Sequence, residues 1–202
     1  AAARATDPAR AARALVERIL TAHGGRAALD RVTAYRMEGH IVTFREGRNG
    51  PTRRLWQRPG NLRVELMYPG AIEVRIVHGA DGWRCTGGEC ESASGPMLDA
   101  MVLQAARAGA PWVLLDHARE ARPIAPLAFK GQELPGVEVP LAAGLTLRLY
   151  ADPRTHRIAV SRGVLEHGGV EVPFGTDFSD YRAVSGLWFA FGEENFASGA
   201  HT

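Results

Sequence analysis

Among its 202 residues the chain has two cysteines, one lysine and no long apolar run. Nothing in it approaches the roughly 18 consecutive apolar residues of a bilayer-crossing helix, so no transmembrane segment is expected. Lysine is scarce because arginine replaces it; Lys130 stands alone, a bias that fits GC-rich coding better than any function. The 24 Lys+Arg are balanced by 22 Asp+Glu, a net charge of +2. That balance argues against a nucleic-acid partner, which needs a concentrated basic surface. The locally basic stretch Arg45, Arg48, Arg53, Arg54 and Arg58 reads either as a solvated strand face or as a contact for anionic lipid or a partner.

Catalytic signatures are missing too. The chain has no His-Glu-x-x-His, no Gly-x-Ser-x-Gly, no P-loop and no dinucleotide fingerprint. Its seven histidines are scattered singly. Asp177 and Asp180 are three apart in a strand pattern, so they do not share a face, and Asp180 is expected to cap a turn or pair with Arg182. No catalytic residue, metal site or cofactor is therefore expected. In Cys85-Thr86-Gly87-Gly88-Glu89-Cys90, two glycines make a tight turn between the thiols. A hairpin disulfide, free thiols and a metal site are the three readings. A zinc site lacks two further ligands, and a disulfide would imply an oxidising compartment such as the periplasm.

What is present has a simple order. Asp7-Pro8 caps a helix, Leu15, Val16, Ile19 and Leu20 recur at helical spacing, and Gly24-Gly25 ends it. Short alternating strands follow: Tyr35 to Thr43, a hairpin turn at Glu46 to Pro51 with Asn49-Gly50, then Arg53 to Arg58. Leu62, Val64, Leu66 and Tyr68 alternate with Arg63, Glu65 and Met67, and Ile72, Val74 and Ile76 alternate with Glu73 and Arg75. Leu147 and Leu149 flank Arg148 in a later strand. Taking the charged residues outward predicts an antiparallel meander with Val64, Leu66, Val74, Ile76, Leu147 and Leu149 as an apolar floor.

Between the strands lies an apolar helical insert. Met97, Leu98, Met101, Val102 and Ala105 share one helix face, and Pro111 to Ala118 make a second short helix around Trp112. This insert reads either as core or as a helical lid, and methionine suits a cavity that adapts to varied chains. Trp56, Trp83, Trp112 and Trp188 carry the same two readings.

In the order of these features the chain resembles the LolA/LolB-like superfamily of periplasmic lipoprotein carriers and their relatives. The resemblance rests on His23-Gly24-Gly25-Arg26-Ala27-Ala28-Leu29 before Met37-Glu38-Gly39, then on Arg58-Pro59-Gly60-Asn61-Leu62-Arg63-Val64-Glu65 and Gly79-Ala80-Asp81-Gly82-Trp83. Lys130-Gly131-Gln132-Glu133-Leu134-Pro135-Gly136, Leu149-Tyr150-Ala151-Asp152-Pro153-Arg154-Thr155, Phe178-Ser179-Asp180-Tyr181-Arg182 and Gly186-Leu187-Trp188-Phe189 continue it, so that it spans residues 12 to 195. The Cys85 to Cys90 loop is an addition to the carrier pattern.

The resemblance implies an α+β fold, a curved antiparallel half-barrel with an N-terminal helix and a helical lid inserted mid-chain. It implies one domain over residues 1–202, with 1–11 as a flexible leading segment. In the superfamily the cavity takes acyl chains of lipoproteins or other lipids, and some relatives sense envelope stress instead. The ligand-binding residues expected here are Met37, Ile41, Val64, Leu66, Val74, Ile76, Met97, Leu98, Met101, Val102, Trp112, Leu147 and Leu149. The function expected is non-enzymatic binding or transport of a lipid or lipidated cargo in the periplasm. An inner- or outer-membrane protein is the expected partner, and the small residues Ala1-Ala2-Ala3 fit the remnant of a cleaved signal peptide or a trimmed end. The alternative is an envelope sensor or accessory module whose core is filled.

Overall fold

The structure is a computed structural model and describes residues 7–44, 47–141, 144–167, 170–197 and 200–201. Helix α1 (Pro8–Ala22) begins as its cap dictates: the Asp7 carboxylate accepts from the Ala9 N–H at 3.1 Å, with Pro8 at the first helical position. Residues 7–11, grouped by the sequence reading with a flexible leader, thus form the cap and first turn, while residues 1–6 lie outside the described residues. Ala12, Leu15, Val16, Ile19 and Leu20 form the buried stripe of α1, and the short α2 (Arg26–Arg31) follows Gly25.

Strands β1 (Ala34–Val42), β2 (Asn49–Gln57), β3 (Asn61–Tyr68), β4 (Ala71–His78), β5 (Asp81–Thr86) and β6 (Glu89–Ala93) pair in chain order as a six-stranded antiparallel sheet. Helices α3 (Gly95–Ala108) and α4 (Ala110–Asp116) come next. Strands β7 (Arg122–Phe129), β8 (Gln132–Pro140), β9 (Thr146–Ala151), β10 (Ile158–His167), β11 (Val170–Val184), β12 (Leu187–Ala197) and β13 (Ala200–His201) form a second, seven-stranded sheet, again in chain order.

The α+β class holds, but the single long sheet is corrected to two. The helical insert takes the chain from the edge strand β6 to the edge strand β7, and no ladder joins the sheets among the described residues. The Asn49-Gly50 turn is also corrected. Asn49 and Gly50 are in β2, paired with Val42 and Ile41, and the reversal is made earlier, where the Thr43 N–H donates to the Arg48 carbonyl and Gly47 takes φ +62°.

Cross-strand partners share a face of a sheet, so register decides what points inward. Leu62, Val64, Leu66 and Tyr68 are buried on β3. They stand opposite Val77, Arg75, Glu73 and Ala71 of β4. The inward residues of β4 are therefore Glu73, Arg75 and Val77. Val74 and Ile76 lie on the outer face, beside Glu65 and Arg63 on one side and Cys85 and Trp83 on the other. The expectation that Val74 and Ile76 line the floor, with Glu73 and Arg75 in water, is corrected by this register. On the second sheet Leu147 and Leu149 are fully buried opposite Val139 and Val137, and Arg148 lies outside against Glu138.

The largest hydrophobic core draws on α1 to α4 and on both sheets. Helix α3 touches β4 and β5 of the first sheet and β9, β10 and β11 of the second, so it bridges the two. Two glycines allow its close approach. A Cβ on Gly109 would sit 2.2 Å from the Trp56 ring, and one on Gly163 of β10 would sit 2.9 Å from Leu103.

Candidate functional site: a cavity beneath helix α3

Two aromatic side chains anchor α3 to the first sheet, and a third ties α4 to α2. The Trp56 indole N–H donates to the Ala105 carbonyl at 3.2 Å, the Tyr35 hydroxyl to the Ala108 carbonyl at 2.9 Å, and the Trp112 indole N–H to the Leu29 carbonyl at 2.9 Å. Their rings pack together, Trp56 and Trp112 with centroids 4.9 Å apart. The bonds satisfy carbonyls near the end of α3 and at α2, while the rings exclude water from them. Trp56 and Trp112 are thus core; Trp83 lies on the outer face, and Trp188 carries the Arg157 guanidinium over its ring.

Beside this anchored end lies a cavity of about 490 Å³, between the inner faces of the sheets and the exposed flank of α3. That is within the ordinary range for a small-molecule pocket. Its apolar wall is made by Ile41, Leu66, Tyr68, Met97, Met101 and Phe174. Its polar wall holds Arg48, Arg75, Arg84, Arg107 and Glu73, with Gln104 and Asn195. A smaller void of about 40 Å³, lined by Met37, Tyr35, Trp112 and Phe189 among others, adjoins Arg107 on its other side.

The thirteen expected ligand-binding residues divide accordingly. Ile41, Leu66, Met97 and Met101 line the cavity, with Met97 40% exposed, and Met37 and Trp112 line the small void. Val64, Leu147 and Leu149 are packed core, and the half-buried Leu98 and Val102 pack against it. Val74 and Ile76 are on the outer face. Sequence reasoning missed Tyr68 and Phe174 as lining residues and missed the polar wall altogether. The signal for Glu73 and Arg75 was their pairing opposite Leu66 and Val64, which only the hairpin register reveals.

The charges on that wall are unevenly matched. Glu73 accepts from Arg75 at 2.7 Å and from Arg84 at 3.3 and 3.4 Å. Burial works to raise its carboxyl pKa, but the two guanidiniums overcome that and hold it low. Deeper in, Arg54 of β2 and Glu193 of β12 form a two-point ion pair between the sheets, each bond 2.7 Å. Arg107, at the end of α3, lies beside that pair, and its Nε and Nη1 are occluded from solvent with no hydrogen-bond partner. Burial pushes Arg107 down to about 10; Glu193 opposes this, while Arg54, Arg162 and Arg75 add to it, and the guanidinium stays charged at neutral pH.

Two further features lie outside the lining of this cavity. Cys85 and Cys90 are directly opposed on the β5–β6 hairpin and joined by a disulfide, so of the three readings of this loop the bridge is the one observed. His23, buried at the end of α1, takes the backbone N–H of Ile158 on Nε2 and contacts the Trp188 carbonyl through Nδ1. With Nε2 as acceptor, the neutral tautomer protonated on Nδ1 satisfies both bonds. Among the described residues no group of three or more His, Cys, Asp or Glu could hold a metal ion, and no helix is long and apolar enough to cross a membrane.

No protein-family model matches the chain, and no curated protein matches it in sequence. Solved structures do. A DUF1329 family protein from Desulfovibrio piger superposes with a TM-score of 0.56 at 15% identity, over 95% of this chain and 87% of its own. A domain named for outer membrane lipoprotein sorting, from Vibrio parahaemolyticus, superposes with a TM-score of 0.52 at 15% identity, over 94% of this chain and 86% of its own. The superposition extends over nearly the whole length of this chain in both cases, and the two antiparallel sheets with few helices described above have the LolA-like fold.

Proposed function

We propose that this protein is a non-enzymatic envelope binding or carrier protein that holds a lipid, a lipoprotein acyl chain or another lipophile in the cavity beneath α3. The observation that carries this reading is the 490 Å³ space left open beside the hydrophobic core in a LolA-like fold. A filled accessory module would close that space with side chains. Met97 and Met101 are suited to the role, because unbranched thioethers repack around chains of different shape. In this reading α3 is the lid and the two sheets are the curved half-barrel. The Cys85–Cys90 disulfide supports a periplasmic location, since such bonds persist in oxidising compartments. So does the similar fold of a domain named for outer membrane lipoprotein sorting.

A lipophilic fluorescent probe tests the reading. Nile red should bind wild-type protein and be displaced by a long-chain lipid. Leu66→Trp should fill the space and weaken probe binding while leaving the fold intact, because Leu66 borders the cavity. If no probe binds wild type and Leu66→Trp unfolds the protein, the interior is solid and the carrier reading fails.

A further inference from the structure

We infer that the cavity selects an acidic amphiphile, with the anionic head seated against Arg107 and the chain lying on Met97, Met101, Leu66 and Phe174. This rests on the lipid-binding reading and names the chemical class of its ligand.

The first observation is the charge of the wall. Among the described residues four arginines line the cavity, Arg48, Arg75, Arg84 and Arg107, and one carboxylate, Glu73, which Arg75 and Arg84 already share. An uncharged chain gains nothing from such a wall. Desolvating several guanidiniums around it would cost free energy that only an anion offsets. The second observation is independent of the count. Arg107 Nε and Nη1 are occluded and donate to nothing. Buried donors are almost always paired in folded proteins, so an unpaired guanidinium on a residue that lines a cavity calls for an acceptor. The carboxylate that acts on it, Glu193, is already held at both oxygens by Arg54. Guanidinium binds carboxylate and phosphate equally well in geometry, so a fatty-acid carboxylate and a lipid phosphate share this chemistry.

The third observation is the arrangement of the walls. The apolar side chains of α3 that border the cavity, Met97 and Met101, lie ten and six residues before Arg107 on the same helix, nearly three turns and between one and two turns away. At 1.5 Å of rise per residue these positions run along the helix from the charged end, as an extended chain attached to a head group would.

The test compares ligands that differ only in charge, by displacement of Nile red. Oleate is set against oleyl alcohol, and dioleoyl phosphatidate against dioleoylglycerol. The acid of at least one pair should bind about tenfold or more tightly than its neutral counterpart, the scale of one charge-assisted hydrogen bond. Which pair discriminates tells a free carboxylate from a lipid phosphate. Arg107→Met should abolish the preference without weakening binding of the neutral ligand, and Arg107→Lys should restore most of it. Because two of its nitrogens are unpartnered, Arg107→Met should not lower the melting temperature, which separates a ligand role from a structural one. Equal binding of acid and neutral members in both pairs would overturn the inference while leaving the lipid-binding reading in place. So would a preference that survives Arg107→Met. Binding of none of the four would overturn both.

Discussion

Arg54 and Glu193 meet across the two sheets through two parallel hydrogen bonds of 2.7 Å, each side chain 19% exposed. No β ladder joins the sheets among the described residues, so this pair is a specific polar tie between them. Burial opposes both charges; mainly by facing each other, with Arg107 also acting on Glu193 and Tyr35 on Arg54, the carboxyl is held low and the guanidinium high. Removing one partner leaves the other charge uncompensated. Glu193→Gln should therefore destabilise by about 3 kcal/mol, read by urea unfolding. Arg54→Met with Glu193→Leu should recover much of that loss. A single Glu193→Gln variant as stable as wild type would show that the tie contributes nothing.

His23 makes the fold sensitive to acid. Burial, the largest influence, lowers its pKa from 6.5 to about 4, against the Trp188 carbonyl, which raises it, and with help from the Arg157 charge. The unfolded chain then binds a proton over the interval from about pH 6.5 down to about 4, where the folded chain does not. Stability should fall as pH drops through that window and change no further from this group below it. The shift corresponds to about 3 kcal/mol. In His23→Gln the slope over this window should flatten, measured as unfolding free energy against pH. An unchanged slope would remove His23 from the account of acid sensitivity.

The hairpin bridge is checked by intact mass. Reduction should add about 2 Da, since a disulfide replaces two thiols. Closing so short a loop should stabilise by less than the roughly 3 kcal/mol expected for a 15-residue loop. Thiols that alkylate without reductant would contradict the bridge.

Met101 is 5% exposed and borders the cavity. Met101→Asp places a carboxylate among apolar groups and should cost several kcal/mol or abolish ligand uptake. Wild-type melting together with wild-type probe binding would show that this face of α3 is idle.

Much of the frame was legible in the chain, for reasons that can be located. Asp7 and Pro8 announce the start of α1 through local capping chemistry, and β3 reads correctly because Leu62, Val64, Leu66 and Tyr68 agree with their burial. Strand β4 reads backwards for a physical reason. Ile72, Val74 and Ile76 are its apolar set, yet pairing with β3 turns Glu73 and Arg75 inward, and their mutual ion pair makes that burial tolerable. Ile72 is left 55% exposed as a consequence. Arg107 was illegible because a basic residue in the last turn of a helix ordinarily reads as favourable to the helix dipole. Only the long-range approach of β2 and β12 places it beside Arg54 and Glu193. The division into two sheets was hidden likewise, because alternation within strands does not say where a ladder stops.

The most direct measurement is native mass spectrometry of protein purified from its own host, followed by lipid extraction. A lipophile held in the cavity should co-purify as a discrete added mass, be lost on organic extraction, and be absent from Met101→Asp. A wild-type protein that flies only at its bare chain mass, and yields no lipid on extraction, would contradict the carrier reading.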